Sequence, residues 1–255
     1  MVDRMVKVLL DEKLLAFNRP EFIPADPISI PHRYVRKEDI EIAALLAATI
    51  SWGRRDLIVR AGERMMGLLW DTPYEFVMTA RGHEMQGLDR FVYRTFQGVD
   101  LRSMVMGLRK IYAEDGGLEH IMALDAGETD TAAAILRYRR GMLESEGFAA
   151  RSSKHLADPG NGSAAKRLNM FLRWMVRRDG AGVDFGIWKS IRPDQLVCPL
   201  DVHTGNVGRK LGLLSRKQND WKAALELTAA LREMDPADPV KYDLSLFGLG
   251  ILDGF

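Results

Sequence analysis

The chain has 255 residues, 47% of them hydrophobic, and its 36 Lys and Arg residues against 35 Asp and Glu leave a formal net charge of +1. A near-neutral chain has no global attraction to a polyanion, so any nucleic-acid surface must be local. Its one cysteine, Cys198, excludes an internal disulfide, a Cys-x-x-Cys redox pair and a four-cysteine iron–sulfur cluster.

The N-terminal part of the chain is predicted to form helices separated by a proline-rich connector. Apolar residues at helical spacing predict a helix over 2–17, and the charges within that run argue against a signal peptide. Four prolines within 18–34 exclude a helix there and predict an extended connector. Further helices are predicted over 38–50 and 57–70, with Asp56 capping the second of them.

Helical spacing continues along the rest of the chain. Predicted helices cover 73–80, 85–94, 99–116, 117–125, 130–147 and 220–234, and the segment 235–251 follows them. No segment alternates apolar and polar residues between turn signals, so strands are not expected. No apolar run reaches the ~18 residues that a membrane span needs. We therefore predict a cytoplasmic, all-α protein that holds no cofactor and no structural metal.

A Gly-rich turn opens the most informative stretch, residues 160–212. The turn contains Gly160, Gly162 and Ser163, and a helix is predicted over 164–178 directly after it. Backbone N–H groups at such a turn and helix start are able to hold a phosphate.

The same helix is predicted to be basic along one side. At roughly 100° per residue, Arg173 and Arg177 each fall within about 20° of Lys166. Arg167 lies next to them. This face predicts contacts with a nucleic-acid backbone, although a lysine in the first turn of a helix is more often a solvated surface residue.

A second helix in this stretch is predicted to start at Asp201. Pro199 prevents an earlier helix start, Asp is a strong N-cap, and Gly212 suits the position after the helix end. By default Asp201 only caps the helix, but a cap is also able to take part in catalysis.

The motifs of this stretch resemble those of two protein families. The string LDVHTGNVGRKLGL resembles a segment of the helix-hairpin-helix DNA glycosylases, the endonuclease III superfamily. The upstream string LLAATISWGRRD is similar to a helix pair of the same superfamily. The strings RLNMFLRWMVR, PLDVHTGNV and DPVKYDLSLFGLG resemble, over nearly the whole chain, a bacterial family of unknown function, DUF2400.

The glycosylase resemblance implies a fold, a site and a partner. It implies a single unit of two helical lobes, one spanning about 39–165 and the other about 1–38 plus 166–255. Lys166 and Asp201 match the catalytic pair, and the partner would be duplex DNA with a damaged base, bound by a monomer. A neutral lysine amine is a nucleophile towards a sugar carbon, and the carboxylate stabilises the positive charge that develops there.

Departures from the superfamily pattern keep a second function open. Lys166 follows Gly162 by four residues instead of two, a longer insertion separates Lys166 from Asp201, and Asn206 replaces the usual Arg. The alternative is a non-catalytic helical DNA-binding protein that keeps the hairpin and the basic helix. A third reading is that the fold serves another small-molecule or RNA task.

Further candidate DNA contacts lie at two places in the sequence. Trp52 stands in the turn SWGRRD, where it would stack on a flipped base or anchor the core, and Arg54 and Arg55 follow it. His203 follows Asp201 by two residues and is counted as a DNA contact. No second His or Cys at zinc-ligand spacing supports a metal site there.

Overall fold

The computed structural model describes residues 2–251, and helices make up almost all of their regular structure. This confirms the all-α prediction. The helical repeat of apolar residues is a local property, and for that reason the sequence shows it clearly. No helix among the described residues is long and apolar enough to cross a membrane.

The chain divides into two compact units. The first is drawn from Met1–Phe22, Leu124–Ala133 and Asp158–Phe255, and the second from Ile23–Ala123 and Ala134–Ala157. These bounds differ from the predicted lobes because 23–38 lies with the second unit, whereas 124–133 and 158–165 lie with the first. In the second unit, the buried Ile30 side chain lies directly against Gly62 of a following helix.

The helices and strands follow one another in a simple order. The first unit begins with α1 (Arg4–Phe17). The second contains α2 (Lys37–Thr49), α3 (Arg55–Leu68), α4 (Pro73–Thr79), α5 (Gly82–Gly87), β1 (Val92–Tyr93), β2 (Phe96–Gln97), α6 (Gly98–Glu114), α7 (Leu118–Ile121) and most of α8 (Ala132–Leu143). The first unit resumes with α9 (Lys166–Val176), α10 (Val202–Lys210), α11 (Trp221–Met234) and α12 (Asp243–Ile251).

Helix α2 runs through the core of the second unit. Every residue from Ile40 to Thr49 is buried, as expected for a helix that is apolar on all sides. Glu41 is the charged residue within this buried stretch. It is 2% exposed and accepts a hydrogen bond from the Tyr112 hydroxyl at 2.7 Å. A buried carboxylate needs such a partner, and this one ties α6 to α2.

In the first unit, α12 packs against α1 and α10. Ser245 of α12 donates to the carbonyl of Leu10 at 2.7 Å. Gly248 lies so close to Phe17 that a Cβ there would be 2.0 Å from the ring. Through these contacts the N-terminal helix joins the C-terminal part of the chain.

Three local predictions were wrong. The prolines of 18–34 form short 3-10 helices, Pro20–Ala25, Pro27–Ser29 and Pro31–Arg33, because proline suits the first position of a helical turn. Arg54, not Asp56, is the N-cap residue of α3. The predicted helix over 85–94 is borne out only by the end of α5 and a 3-10 helix, Leu88–Arg90. The antiparallel pair β1–β2 follows, and its strands of two residues are too short to show alternation.

Candidate functional site

The turn before α9 holds its shape through hydrogen bonds around a strained alanine. Ala165 has φ 49° and ψ 32°, a left-handed conformation that non-glycine residues seldom adopt. Its N–H donates to Ser163 Oγ at 3.2 Å, and Asn169 Nδ2 donates to the carbonyl of Ala164 at 3.1 Å. Thr131 in turn donates to Asn169 Oδ1 at 3.2 Å. These contacts fix the direction in which α9, and therefore Lys166, leaves the turn.

Several backbone N–H groups of the turn donate hydrogen bonds within the turn itself. The amide of Gly162 donates to the carbonyl of Pro159 at 3.0 Å, and the amide of Ser163 donates to the carbonyl of Asp158 at 3.0 Å. The side chain of Asp158 accepts from the amide of Asn161. The amides of Gly162 and Ser163 are thus engaged within the turn, whereas Gly160, Gly162 and Ser163 are all exposed, and their contact with a phosphate stays a prediction.

Asp201 caps α10, as predicted. Its Oδ1 accepts from the amide of Thr204 at 3.0 Å, and its carbonyl accepts from Asn219 Nδ2 at 3.2 Å. Gly212 follows the helix with φ 70°, which confirms it as the residue after the helix end. Because Oδ1 makes the cap, Oδ2 is left to face another partner.

That partner is Lys166, in the first turn of α9. Its Nζ lies 3.7 Å from Asp201 Oδ2, and the two side chains are 27% and 31% exposed. The same amine lies 3.9 Å from Met170 Sδ, one turn further along α9. The structure thus brings together two residues that the sequence separates by an insertion, and solvent still reaches both.

Arg173 and Arg177 do not form the exposed basic face that their spacing predicted. They are only 4% and 1% exposed. Arg173 donates to Asp243 Oδ2 at 2.5 Å and to Asp184 Oδ1 at 3.3 Å. Arg177 donates to Asp184, to both oxygens of Asp238 at 3.0 Å and to Asp179 at 2.8 Å. Buried guanidinium groups need carboxylate partners, and these arginines therefore hold the unit together and are not available to a phosphate.

Electrostatics within this buried network follow from burial and neighbouring charges. Burial raises the pKa of the Asp243 carboxyl above its ordinary value, while the positive charges of Arg173 and Lys166 oppose that rise. Burial would lower the pKa of Arg177, but Asp184 and Asp238 raise it above the ordinary value. Burial also raises the pKa of the Cys198 thiol well above its usual range, so Cys198 is an inert core residue.

Two of the other predicted contact residues adjoin this pair in sequence, and three lie in the second unit. His203 is exposed on α10, and Arg167 is half-buried beside Lys166. Trp52 is a half-buried residue of the second unit, with its ring parallel to that of His155 at 6.2 Å. Arg54 of that unit is bound by Asp56 at 2.8 Å, and Arg55 lies 3.4 Å from Asp26.

Comparison with known proteins identifies a family for the chain. Neither the curated proteins nor the solved structures gave a significant match. The model of the family described as protein of unknown function (DUF2400) matches residues 26–252. The chain belongs to the DUF2400 family. The matched range includes the turn, Lys166, Asp201 and the buried Arg–Asp network.

In this DUF2400 protein the sequence reasoning missed Asp243. It was grouped with the closing segment 235–251, yet it begins α12, is 6% exposed and pairs with Arg173. Its electrostatic interactions with Lys166 and Asp201 place it near the pair. The sequence did offer a signal for Asp243: it stands within an apolar run, and a carboxylate buried there needs a partner. Within residues 2–251, no group of His, Cys, Asp and Glu side chains is arranged to hold a metal ion.

Proposed function

We propose that this protein is a DNA base-excision glycosylase in which Lys166 is the nucleophile and Asp201 its carboxylate partner. The distance of 3.7 Å between Lys166 Nζ and Asp201 Oδ2 is the observation that carries the proposal. The resemblance of LDVHTGNVGRK to the catalytic segment of the helix-hairpin-helix glycosylases supplies the reaction type. The proposed fold type is the two-lobed arrangement of those enzymes, and the proposed partner is duplex DNA carrying a damaged base, bound by a monomer in the cytoplasm.

The placement of the two groups suits this reaction. An ammonium group is not nucleophilic, so Lys166 must first give up a proton, and Asp201 Oδ2 lies 3.7 Å away to accept it. The neutral amine attacks the anomeric sugar carbon, and the glycosidic bond breaks with its electron pair leaving on the base, which takes up the proton that Asp201 accepted and so returns Asp201 to its carboxylate form. The carboxylate then stabilises the positive charge on the sugar.

Covalent capture of the sugar follows from the same chemistry. The attached nitrogen passes one of its two protons to the ring oxygen as the bond between that oxygen and the anomeric carbon breaks, and its lone pair forms a protonated imine between Lys166 and the sugar carbon. Such an imine allows strand cleavage by loss of the neighbouring phosphate. For Lys166 to reach the sugar, the target nucleotide must leave the duplex stack, because a base within the helix is not accessible.

Capture by borohydride tests the proposal directly. Duplexes that each carry one lesion or one abasic site are incubated with the protein and reduced, and protein–DNA crosslinks are counted. We expect wild type to crosslink with an abasic site or with the right lesion, and Lys166→Gln to crosslink not at all. Lys222→Gln is the matched control, because Lys222 is an exposed lysine of α11 in the same unit.

Each outcome decides between the functions. Equal crosslinking by wild type and Lys166→Gln would show that another group is the nucleophile. Release of a base without crosslinking would assign the attack to water, with Asp201 as the main catalytic group. No release from any lesion would leave the non-catalytic DNA-binding protein as the better function.

A further inference from the structure

A cavity of about 490 Å³ lies in the first unit, away from the residues assigned to the proposed reaction. Its walls come from the segment 128–130, the segment 192–197 and helix α11. This volume falls within the range of pockets that hold small molecules. A second cavity of about 400 Å³ shares Glu128, Arg192 and Gln195 with it.

Two charged side chains of opposite sign line this cavity without contacting each other. Within residues 2–251, Arg232 makes one hydrogen bond, from Nη2 to the backbone carbonyl of Asp194 at 2.8 Å, and no carboxylate pairs with it. Asp130 accepts only the amide of Ala132, at 2.8 Å, and no cation in that described range pairs with it. Both side chains are half-buried. A partly desolvated charge without a counter-charge is costly, so a ligand that supplies both counter-charges would relieve both.

Arg192, the other cation of the lining, does not supply the missing counter-charge. Arg192 is satisfied by Asp194, whose two carboxylate oxygens accept from Nε at 2.9 Å and from Nη2 at 3.0 Å. The carboxylate of Asp194 is therefore engaged and does not face Arg232. Glu128, the third carboxylate of the lining, accepts the amide of Asp125 at 2.9 Å. This leaves Arg232 and Asp130 as the two charges for a ligand to match.

Apolar side chains supply the rest of the cavity lining. Val197, Leu225 and Ala229 contribute to it, and Val197 is 1% exposed. A plain anion would meet the Asp130 carboxylate, and a plain cation would meet the Arg232 guanidinium. A compact molecule with a carboxylate, an ammonium and an apolar side chain matches all three kinds of surface.

From these observations we propose that the cavity is a binding site for a small zwitterion, an α-amino acid with an apolar side chain. Its carboxylate pairs with Arg232, its ammonium pairs with Asp130, and its side chain covers Val197 and Leu225. The inference is independent of the proposed reaction, because neither Lys166 nor Asp201 lines the cavity.

Binding at this site would join two parts of the unit. Asp130 precedes Thr131, which donates to Asn169 of α9, and Arg232 belongs to α11. A ligand that bridges Asp130 and Arg232 thus adds a link between the 124–133 segment and α11. Because it binds the folded state alone, it should raise the melting temperature as its concentration rises.

Titration calorimetry and thermal unfolding test the site with defined probes. The full-length protein is titrated with each of the twenty standard amino acids, with acetate and with methylammonium. We expect at least one apolar amino acid to bind with a Kd below about 1 mM and its N-acetyl and amide derivatives to bind at least about tenfold more weakly. Arg232→Gln and Asp130→Asn should each weaken binding by about tenfold or more. Asp130→Asn keeps an oxygen to accept the Ala132 amide, so folding is preserved.

Several results would contradict the proposed amino-acid site. Absence of binding by every amino acid at about 10 mM would overturn the proposal. So would equal binding of acetate and the amino acid, since that would mean an anion site, or equal binding of an amino acid to wild type and both variants. Arg178→Gln, at an exposed position outside the cavity, is the control and should bind as wild type does.

Discussion

Arg173 and Asp243 form a buried ion pair, with Nη1 of Arg173 donating to Oδ2 of Asp243 at 2.5 Å. The two residues are 70 positions apart, and the pair joins the start of α12 to the helix that carries Lys166. Asp184 accepts from the other side of the same guanidinium. The orientation of α9 around the Lys166–Asp201 pair therefore depends on charges that solvent hardly reaches.

Removal of Arg173 is expected to destabilise the protein strongly. Arg173→Met leaves Asp243 buried without its cation and Asp184 with Arg177 alone, which costs about 3–5 kcal/mol of unfolding free energy. Urea unfolding followed by circular dichroism measures the change. Arg178→Met is the control at the next basic position, which is exposed, and should stay within about 0.5 kcal/mol of wild type. A loss of less than about 1 kcal/mol in Arg173→Met would mean that the pair is not buried in solution.

Two substitutions of Asp201 separate its structural role from its proposed chemical role. Asp201→Ala removes the acceptor for the Thr204 amide and should cost about 1 kcal/mol of stability, whereas Asp201→Asn keeps a capping oxygen and should cost little. Both remove the charge that faces Lys166, so both should slow borohydride capture. Thermal unfolding and the capture rate are measured side by side. If Asp201→Asn were captured at the wild-type rate, the carboxylate would serve only as a cap.

The strained turn before α9 makes a prediction about Ala165. Because Ala165 adopts a positive φ, Ala165→Gly removes an unfavourable contact of Cβ, and we expect an unchanged or raised stability, by up to about 1 kcal/mol. Ala164→Gly is the matched control and should lower stability by about 0.5–1 kcal/mol, since it only adds backbone freedom. Guanidinium unfolding of both variants gives the comparison. A similar loss in both would show that Ala165 is not strained.

Acid should destabilise the start of α11 through Asp220. Hydrogen bonds from the Arg216 side chain and from the backbone amide of Ala223 lower the pKa of Asp220 to about 2. A carboxyl whose pKa is lower in the folded than in the unfolded state stabilises the fold at pH values above its ordinary pKa of 3.8. That contribution is lost as the pH falls from about 4 to about 2. Asp220→Asn should flatten this part of the melting-temperature profile. Parallel profiles for the two proteins would contradict the assignment.

The sequence alone predicted the helices and the pair more closely than it predicted their surroundings. Helix α10 begins at Asp201 and is followed by Gly212 as expected, because capping preferences act within a few residues. Lys166 and Asp201 were paired only through the resemblance, since no local rule connects two helix starts across an insertion. The β1–β2 hairpin was missed because its strands are too short to show a period.

What the sequence determined by itself is the helical class and the start of α10 at Asp201. Apolar periodicity and caps are properties of neighbouring residues, so they can be read along the chain. Only the tertiary structure decided which charges are exposed. Helical spacing placed Lys166, Arg173 and Arg177 on one face, but it did not show that Asp184, Asp238 and Asp243 pair with the two arginines. The burial of a charge depends on partners distant in sequence, and periodicity contains no information about them.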